Sequence, residues 1–200
     1  MSVVFSTISN KFIALCADKQ RIHADGTVTA TATNIEKWTP HLAVGMVGDI
    51  NLGEYVRSTV HKYLSENGFS NSSINEVADL FIQYYHSAVE NDTVSISEKA
   101  RFIIAGKLAD NGMGAIVIKL EENKTDSETY QATNVPATLI LEPSDLSANE
   151  CNMLLAKALK NVEGRYLKNP LESIHRRAVR NVSEHSNFAS KESDYLLITP

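Results

Sequence analysis

The chain has 200 residues, a mass of 22.0 kDa and a formal net charge of −5, a length that suits one domain and is short for two. Its 43% hydrophobic and 22% charged residues are typical of a globular protein and exclude a disordered, coiled-coil or collagen-like chain. The acidic balance and the scattered Lys and Arg residues argue against a nucleic-acid-binding surface. We therefore expect a single domain over residues 1–200.

Strand patterns dominate the N-terminal quarter of the chain. Short β-branched and apolar runs over 2–8 and 11–17, separated by Ser-Asn, predict a hairpin. The Thr/Val alternation within 23–38, which follows an Asp-Gly turn signal, and the small apolar run 41–49 predict two more strands. We interpret these runs as a first sheet of about four strands.

The pattern then changes to helical spacing. Apolar residues recur at helical intervals over 50–66, up to an Asn-Gly stop, and again over 74–89. Possible N-terminal caps of the second helix, at Asn71, Ser72 and Ser73, precede it. Two consecutive helices are therefore predicted.

The second half of the chain repeats this order of strands followed by helices. An Asp-Asn-Gly turn joins two predicted strands. The stretch that follows is first polar and then extended, and Pro136 and Pro143 exclude a helix there. Two helices follow, the second entered at Pro170, and a last strand closes the chain. The segments, in order, are the strands 101–109 and 113–122, the extended stretch 122–145, the helices 151–162 and 171–182, and the strand 194–200.

Helices that come in pairs between blocks of strands indicate layers rather than alternating βαβ units. Two sheets packed face to face, each covered by a helix pair, would bury every apolar stripe. The predicted fold class is therefore α+β, a four-layer αββα sandwich. Cys16 and Cys151 lie inside apolar patterns and are interpreted as buried free thiols.

Several function classes receive no support from the sequence. The six histidines lack metal-ligand spacing, so we expect neither a metal ion nor another cofactor. No apolar run approaches the roughly 20 residues of a membrane helix, and the first residues do not form a signal peptide. We expect a cytoplasmic protein that binds neither membranes nor nucleic acid.

In strand order and spacing, the chain resembles the proteasome β-type subunits of the N-terminal nucleophile (Ntn) hydrolase family, which includes HslV and Anbu. The stretches that carry the resemblance are "ALCAD", "IEKWTPHLAVGMVGD" and "IHRRAVRNVSEHSNFASKESDYLLI". From Ser2 to Gly48 the spacing matches without a gap, whereas from about Lys107 to Gly164 only the pattern matches. The resemblance implies the αββα fold and a site at the start of the chain.

By this resemblance, Ser2 stands at the family's nucleophile, Asp18 at the aspartate that ends the second strand, and Gly48 at the glycine of the oxyanion hole. Ser2 would supply both the hydroxyl and the α-amine that serves as general base once Met1 is removed. A retained Met1 would bury that amine in a peptide bond.

Other positions depart from the family pattern. The family's lysine falls on Asn34, whose amide carries no charge, and Lys37 would face the other side of an extended strand. The aspartate of the last loop falls on Ser183, while its serine is kept as Ser186. These departures argue against activity.

Three further polar residues are left open. The family's glycine-serine stretch before the third helix is replaced by "LEPSDLSANE", where Ser144 and Ser147 are possible substitutes. His185 lies between Ser183 and Ser186, so a functional role is considered beside the alternative of a solvated histidine.

Two functions follow as hypotheses. The first is a self-assembling subunit with degenerate or absent peptidase activity, because Asn34 replaces the lysine. The alternative is an active N-terminal-serine endopeptidase that acts in protein degradation. The resemblance also implies a homo-oligomer, as a ring, stacked rings or a spiral, with an ATPase or an unfolded polypeptide as possible partners.

Overall fold

The structure is a computed structural model, and it describes residues 2–22, 28–29, 32–68, 72–95, 98–122, 124–162 and 169–199. Met1, whose removal the sequence hypothesis requires, lies outside these residues, as does most of the predicted strand region 23–31. Within the described ranges, no helix is both long enough and apolar enough to cross a membrane.

Two antiparallel sheets form the centre of the fold. A four-stranded sheet has the order β10-β1-β2-β11 and a five-stranded sheet the order β5-β6-β7-β8-β9, while β3 (Arg21–Ile22) and β4 (Val28–Thr29) form a separate short pair. The four-stranded sheet contains β1 (Val4–Ser9), β2 (Phe12–Asp18), β10 (Ala137–Leu141) and β11 (Ser193–Ile198). The five-stranded sheet contains β5 (Ile35–Thr39), β6 (Leu42–Gly48), β7 (Lys99–Lys107), β8 (Met113–Glu121) and β9 (Lys124–Gln131).

The prediction that the first strands share one sheet is wrong. β1 and β2 pair with β10 and β11 from the C-terminal half, whereas β5 and β6 continue into the sheet of β7, β8 and β9. The apolar patterns of both groups are equally compatible with either sheet, because alternation specifies which side of a strand is buried and not which strand lies beside it.

Four helices in the described part of the chain form the outer layers. The pair α1 (Ile50–Asn67) and α2 (Ile74–Glu90) packs on the five-stranded sheet, and α3 (Ala148–Val162) and α4 (Pro170–Ser183) pack on the other. Of the possible caps, Ser73 begins α2 in a reciprocal capping box with Glu76. The predicted four-layer αββα sandwich is confirmed.

Three apolar clusters separate the four layers. The middle cluster joins the two sheets, which come close together at Gly45, where an added Cβ would lie 3.1 Å from Val4 Cγ1 of the other sheet. The outer clusters lie under the helix pairs, and the one beneath α3 and α4 contains Cys16 and Cys151, both buried and free, as predicted. Because alternate strand residues enter different clusters, both sheets are buried on both faces, except at the mostly exposed edge strand β9.

Candidate active site

Asp18 is a buried carboxylate at the end of β2, with no exposed surface. Its Oδ1 accepts a hydrogen bond from the backbone N–H of Val3 at 2.9 Å, and its Oδ2 accepts from the N–H groups of Gln20 and Ser190, both at 3.0 Å. The side chain therefore joins the start of the chain, the end of β2 and the loop before β11. This explains why an apolar strand ends in an acidic residue.

Burial dominates the electrostatics of Asp18. Desolvation raises the pKa of its carboxyl from 3.8 to about 6, although the three backbone N–H bonds and the nearby Ser2 hydroxyl pull it downward. At neutral pH the group is mainly ionised, since the pH then exceeds this pKa. Asp18 thus acts as a buried hydrogen-bond acceptor for the surrounding backbone.

Ser2 is buried beside Asp18, with 3% of its surface exposed. Its hydroxyl donates to the backbone carbonyl of Gln20 at 2.7 Å and accepts from Asn34 Nδ2 at 2.8 Å. These bonds use the proton and one of the two lone pairs of the hydroxyl. The hydroxyl proton has two acceptors nearby: the Gln20 carbonyl, which is not a base at neutral pH, and the Asp18 carboxylate, whose pKa the Ser2 hydroxyl lowers.

Asn34 occupies the position where the family resemblance predicts a lysine. Its Nδ2 also lies 2.7 Å from the carbonyl oxygen of Asp18 and 3.3 Å from that of Gln20. Two carbonyl acceptors orient the amide, because only its nitrogen can donate to them. Asn34 is 2% exposed, so a neutral donor fills the space beside Ser2.

Gly48 ends β6 at the same end of the sandwich. The N–H of Met46, two residues earlier, donates to the carbonyl of Asn34 at 2.9 Å, which ties this end of β6 to the Ser2 network. Gly48 has φ of 116°, and an added Cβ would lie 2.3 Å from the carbonyl oxygen of Lys99. Glycine is required here by both conformation and space.

The remaining predicted positions lie around the last loop. Ser186 is buried and donates to Asp145 Oδ1 at 2.6 Å, whereas Ser183 donates to the carbonyl of Arg180 on its own helix at 2.7 Å. Nδ1 of the exposed His185 lies 2.8 Å from the carbonyl of Asn181. Among the described hydrogen bonds, it is the backbone N–H of Ser190, and neither Ser183 nor Ser186, that reaches Asp18.

Asp145 is a site residue that the sequence reasoning missed. Besides the hydroxyl of Ser186, its carboxylate accepts the N–H of Asn187 at 2.9 Å, and so connects the loop before α3 with the loop after α4. The only signal in the sequence was an acidic residue between Ser144 and Ser147. Of these, Ser147 forms a reciprocal pair with Glu150 at the start of α3, and Ser144 is exposed beside Gly48.

Comparisons with known proteins identify the fold. No protein-family profile and no curated protein sequence matches the chain. Among solved structures, eukaryotic HslV from Trypanosoma brucei matches with a TM-score of 0.59 and 10% identity, over 99% of each chain. Anbu, described as an ancestral beta-subunit, from Yersinia bercovieri matches with a TM-score of 0.66 and 12% identity, over 98% of this chain and 82% of the other. The likeness at such low identity shows a shared fold, the one the sequence resemblance named.

Proposed function

We propose that the chain is a proteasome-like subunit that self-assembles and whose peptidase activity is degenerate or absent. The fold shared with HslV and Anbu supports the first part of the proposal. The hydrogen bonds of Ser2 support the second. Residues 1–200 form a single domain in this proposal, and the assembly works in the cytoplasm, with an ATPase or an unfolded polypeptide as its partner.

The carrying observation is the donation of the Ser2 hydroxyl proton to the carbonyl of Gln20, with Asn34 beside it. An activated serine needs a base that takes this proton. A neutral amide neither takes it nor supplies the positive charge that a lysine would use to favour the deprotonated serine. The carboxylate of Asp18 is already engaged by three backbone N–H groups.

A second function is favoured by the burial of Ser2 beside Asp18 and by the position of Gly48, two residues after the Met46 N–H that binds the Asn34 carbonyl. In an active N-terminal-serine endopeptidase, removal of whatever precedes Ser2 would release its α-amine. The amine would take the hydroxyl proton as Oγ attacks a peptide carbonyl, then give it to the departing amine. Gly48 N–H would stabilise the oxyanion, and water would then hydrolyse the ester.

Peptide cleavage by the purified chain separates the two functions. We expect no cleavage of fluorogenic peptides that depends on Ser2, and no labelling of Ser2 by an electrophilic peptide probe. Ser65, exposed on α1 and bonded to the carbonyl of Lys62, offers a matched control. Cleavage that Ser2→Ala abolishes and Ser65→Ala preserves, together with a mass that shows a free amine at Ser2, would establish the active peptidase instead.

A further inference from the structure

A cleft of about 350 Å³ opens between the two sheets, at the end where Gly48 lies. Its lining includes Gly48 together with three cationic side chains, Lys99, Arg101 and Lys119, and two acidic ones, Glu121 and Glu142. We propose that this cleft binds the carboxylate of a short peptide segment. The inference deepens the proposed function, on which it rests for the choice of a peptide as the ligand.

The cationic residues point into the space between the sheets. Arg101 lies on the same side of β7 as Ile103 and Ala105, which belong to the core between the sheets, because alternate residues of a strand share a face. Lys119 lies on the same side of β8 as Val117, which packs against the core between the sheets. The apolar interface thus changes at this end into a cleft lined by three cationic and two acidic side chains.

Arg101 and Lys119 are direct partners across β7 and β8. Like charges in this position repel each other, since their Cβ atoms are about 4.5–5.5 Å apart. Arg101 is held by both the carboxylate and the carbonyl of Glu142, but Lys119 reaches Asp126 only at 3.8 Å. An anionic group in the cleft would relieve this repulsion.

The two lysines are available to a ligand. Their side chains are about half exposed, at 50% for Lys99 and 47% for Lys119, and the ion pairs of Lys99 with Glu121 and Glu122 lie at the surface. Surface pairs contribute only about 0–1 kcal/mol, so an incoming carboxylate can replace them. Glu121 competes with the ligand for Lys99, whereas Arg101 and Glu142 form a fixed wall.

The size of the cleft limits the ligand. A volume of about 350 Å³ is near the lower end of the range of small-molecule sites, about 300–1,000 Å³. A short segment that ends in, or carries, one carboxylate fits this space better than a long one. A C-terminal carboxylate and an acidic side chain present the same chemistry, and the experiment distinguishes them.

The test uses the full chain and three N-acetylated tripeptides in calorimetric titrations. The first is Ala-Ala-Leu with a free C-terminus, the second is its C-terminal amide, and the third is the amide of Ala-Glu-Leu. We expect the first or third peptide to bind about two- to fivefold more tightly than the second, the effect of one ion pair. Binding of the third identifies an acidic side chain as sufficient, and binding of the first alone identifies the C-terminus.

The variants make the test specific to the cleft. Lys119→Met should weaken binding of the carboxylate peptide about two- to fivefold, and Glu121→Gln should strengthen it by a similar factor. Lys11→Met, at an exposed turn between β1 and β2, is the matched control and should change nothing. Equal affinity for acid and amide peptides, or equal effects of all three variants, would overturn the inference. Cleavage that requires Ser2 would instead overturn the proposed function and leave the carboxylate site untouched.

Discussion

At the scale of single residues, the site is a closed network of buried polar groups. Ser2, Asp18 and Asn34 are each at most 3% exposed, and each has hydrogen-bond partners. Such groups are stable in a protein interior only when they are paired, because an unpaired buried donor or acceptor loses its hydration without compensation. The network therefore makes this end of the fold rigid and makes each member costly to remove.

Asn34→Ala tests the contribution of the amide to this network. The substitution leaves the Asp18 carbonyl without this donor, while the partly buried Gln20 carbonyl keeps Ser2, and it should lower the free energy of unfolding by about 1–3 kcal/mol. Urea unfolding monitored by circular dichroism measures the change. Asn161→Ala, at an exposed position of α3, is the control and should stay within about 0.5 kcal/mol of the wild type. An equal, small effect of both variants would contradict the network.

The buried carboxyl of Asp18 predicts a pH dependence of stability. Its pKa in the folded chain, about 6, lies above the ordinary 3.8, so the folded state binds the proton more tightly. The stabilising contribution is complete below about pH 4 and is lost as the pH rises through 6, by about 1.4 kcal/mol for each unit of pKa difference.

The free energy of unfolding of the wild type, measured relative to Asp18→Asn, should therefore fall between pH 4 and pH 6 and be constant above about pH 7. Asp79→Asn, at an exposed position of α2, controls for the loss of a surface carboxylate. Carbon-13 NMR of the labelled carboxyl gives the pKa directly. A relative stability that rises over this window would show that the hydrogen bonds outweigh burial.

At the scale of elements, the loop between α4 and β11 is held from two sides. Asp145, before α3, binds the side chain of Ser186 and the N–H of Asn187. Further along the loop, Ser190 donates its N–H to Asp18, and its hydroxyl accepts the N–H of Lys19 at 3.2 Å. The loop thus connects the α3–α4 layer with the buried end of β2.

Asp145→Asn should loosen this loop without unfolding the sandwich. Each carboxylate oxygen of Asp145 accepts one hydrogen bond, from the Ser186 hydroxyl or from the Asn187 N–H. In asparagine one of these oxygens is replaced by an NH₂ group, which would face a donor and could not accept its hydrogen bond. We expect faster hydrogen exchange over residues 186–190 and a smaller increase at Gln20. Asp110→Asn, in the exposed turn between β7 and β8, is the control. Unchanged exchange over 186–190 would show that Asp145 does not hold the loop.

At the scale of the whole molecule, the four layers leave apolar surface on the outside of α3. Met153 and Leu159 are 59% and 48% exposed, although most large apolar side chains of the described chain are in the three core clusters. Contiguous exposed apolar patches mark contact surfaces between proteins, whereas single exposed apolar side chains are common on the surface of monomers. Because Met153 and Leu159 are six residues apart and point in different directions from α3, they are two separate candidates for a contact in the proposed assembly.

The mass of the purified chain tests the assembly. Light scattering after size exclusion should give a multiple of 22.0 kDa, and the double variant Met153→Glu with Leu159→Glu should shift the mass toward that of one chain. Val135→Glu is the control, since Val135 is 75% exposed in a loop away from α3. A wild type that stays at the mass of one chain at all concentrations would contradict the proposed assembly.

The amino-acid sequence by itself determined the helices, most of the strands and the four-layer fold class, but it did not separate β9 from β10 within the extended stretch 122–145. Apolar periodicity and local signals such as Asp-Asn-Gly, Pro170 and Ser73 depend on neighbouring residues, and the structure has helices and strands where these signals place them. The spacing from Ser2 to Gly48 also indicated which residues of this chain correspond to the site positions of the family that it resembles. Local chemistry is sufficient for these conclusions, because each helix and each core strand buries its own apolar face, whereas the polar edge strand β9 has none.

The tertiary structure alone decided the sheet membership of each strand, the partners of Ser2 and the role of Asp145. The bond from Ser190 to Asp18 spans 172 positions, and the bond from Ser186 to Asp145 spans 41. Alternation and propensity do not carry such pairings, since the same pattern fits several strand neighbours. The sequence likewise did not show that the cationic residues of β7 and β8 line a cleft, because the cleft depends on how the two sheets pack.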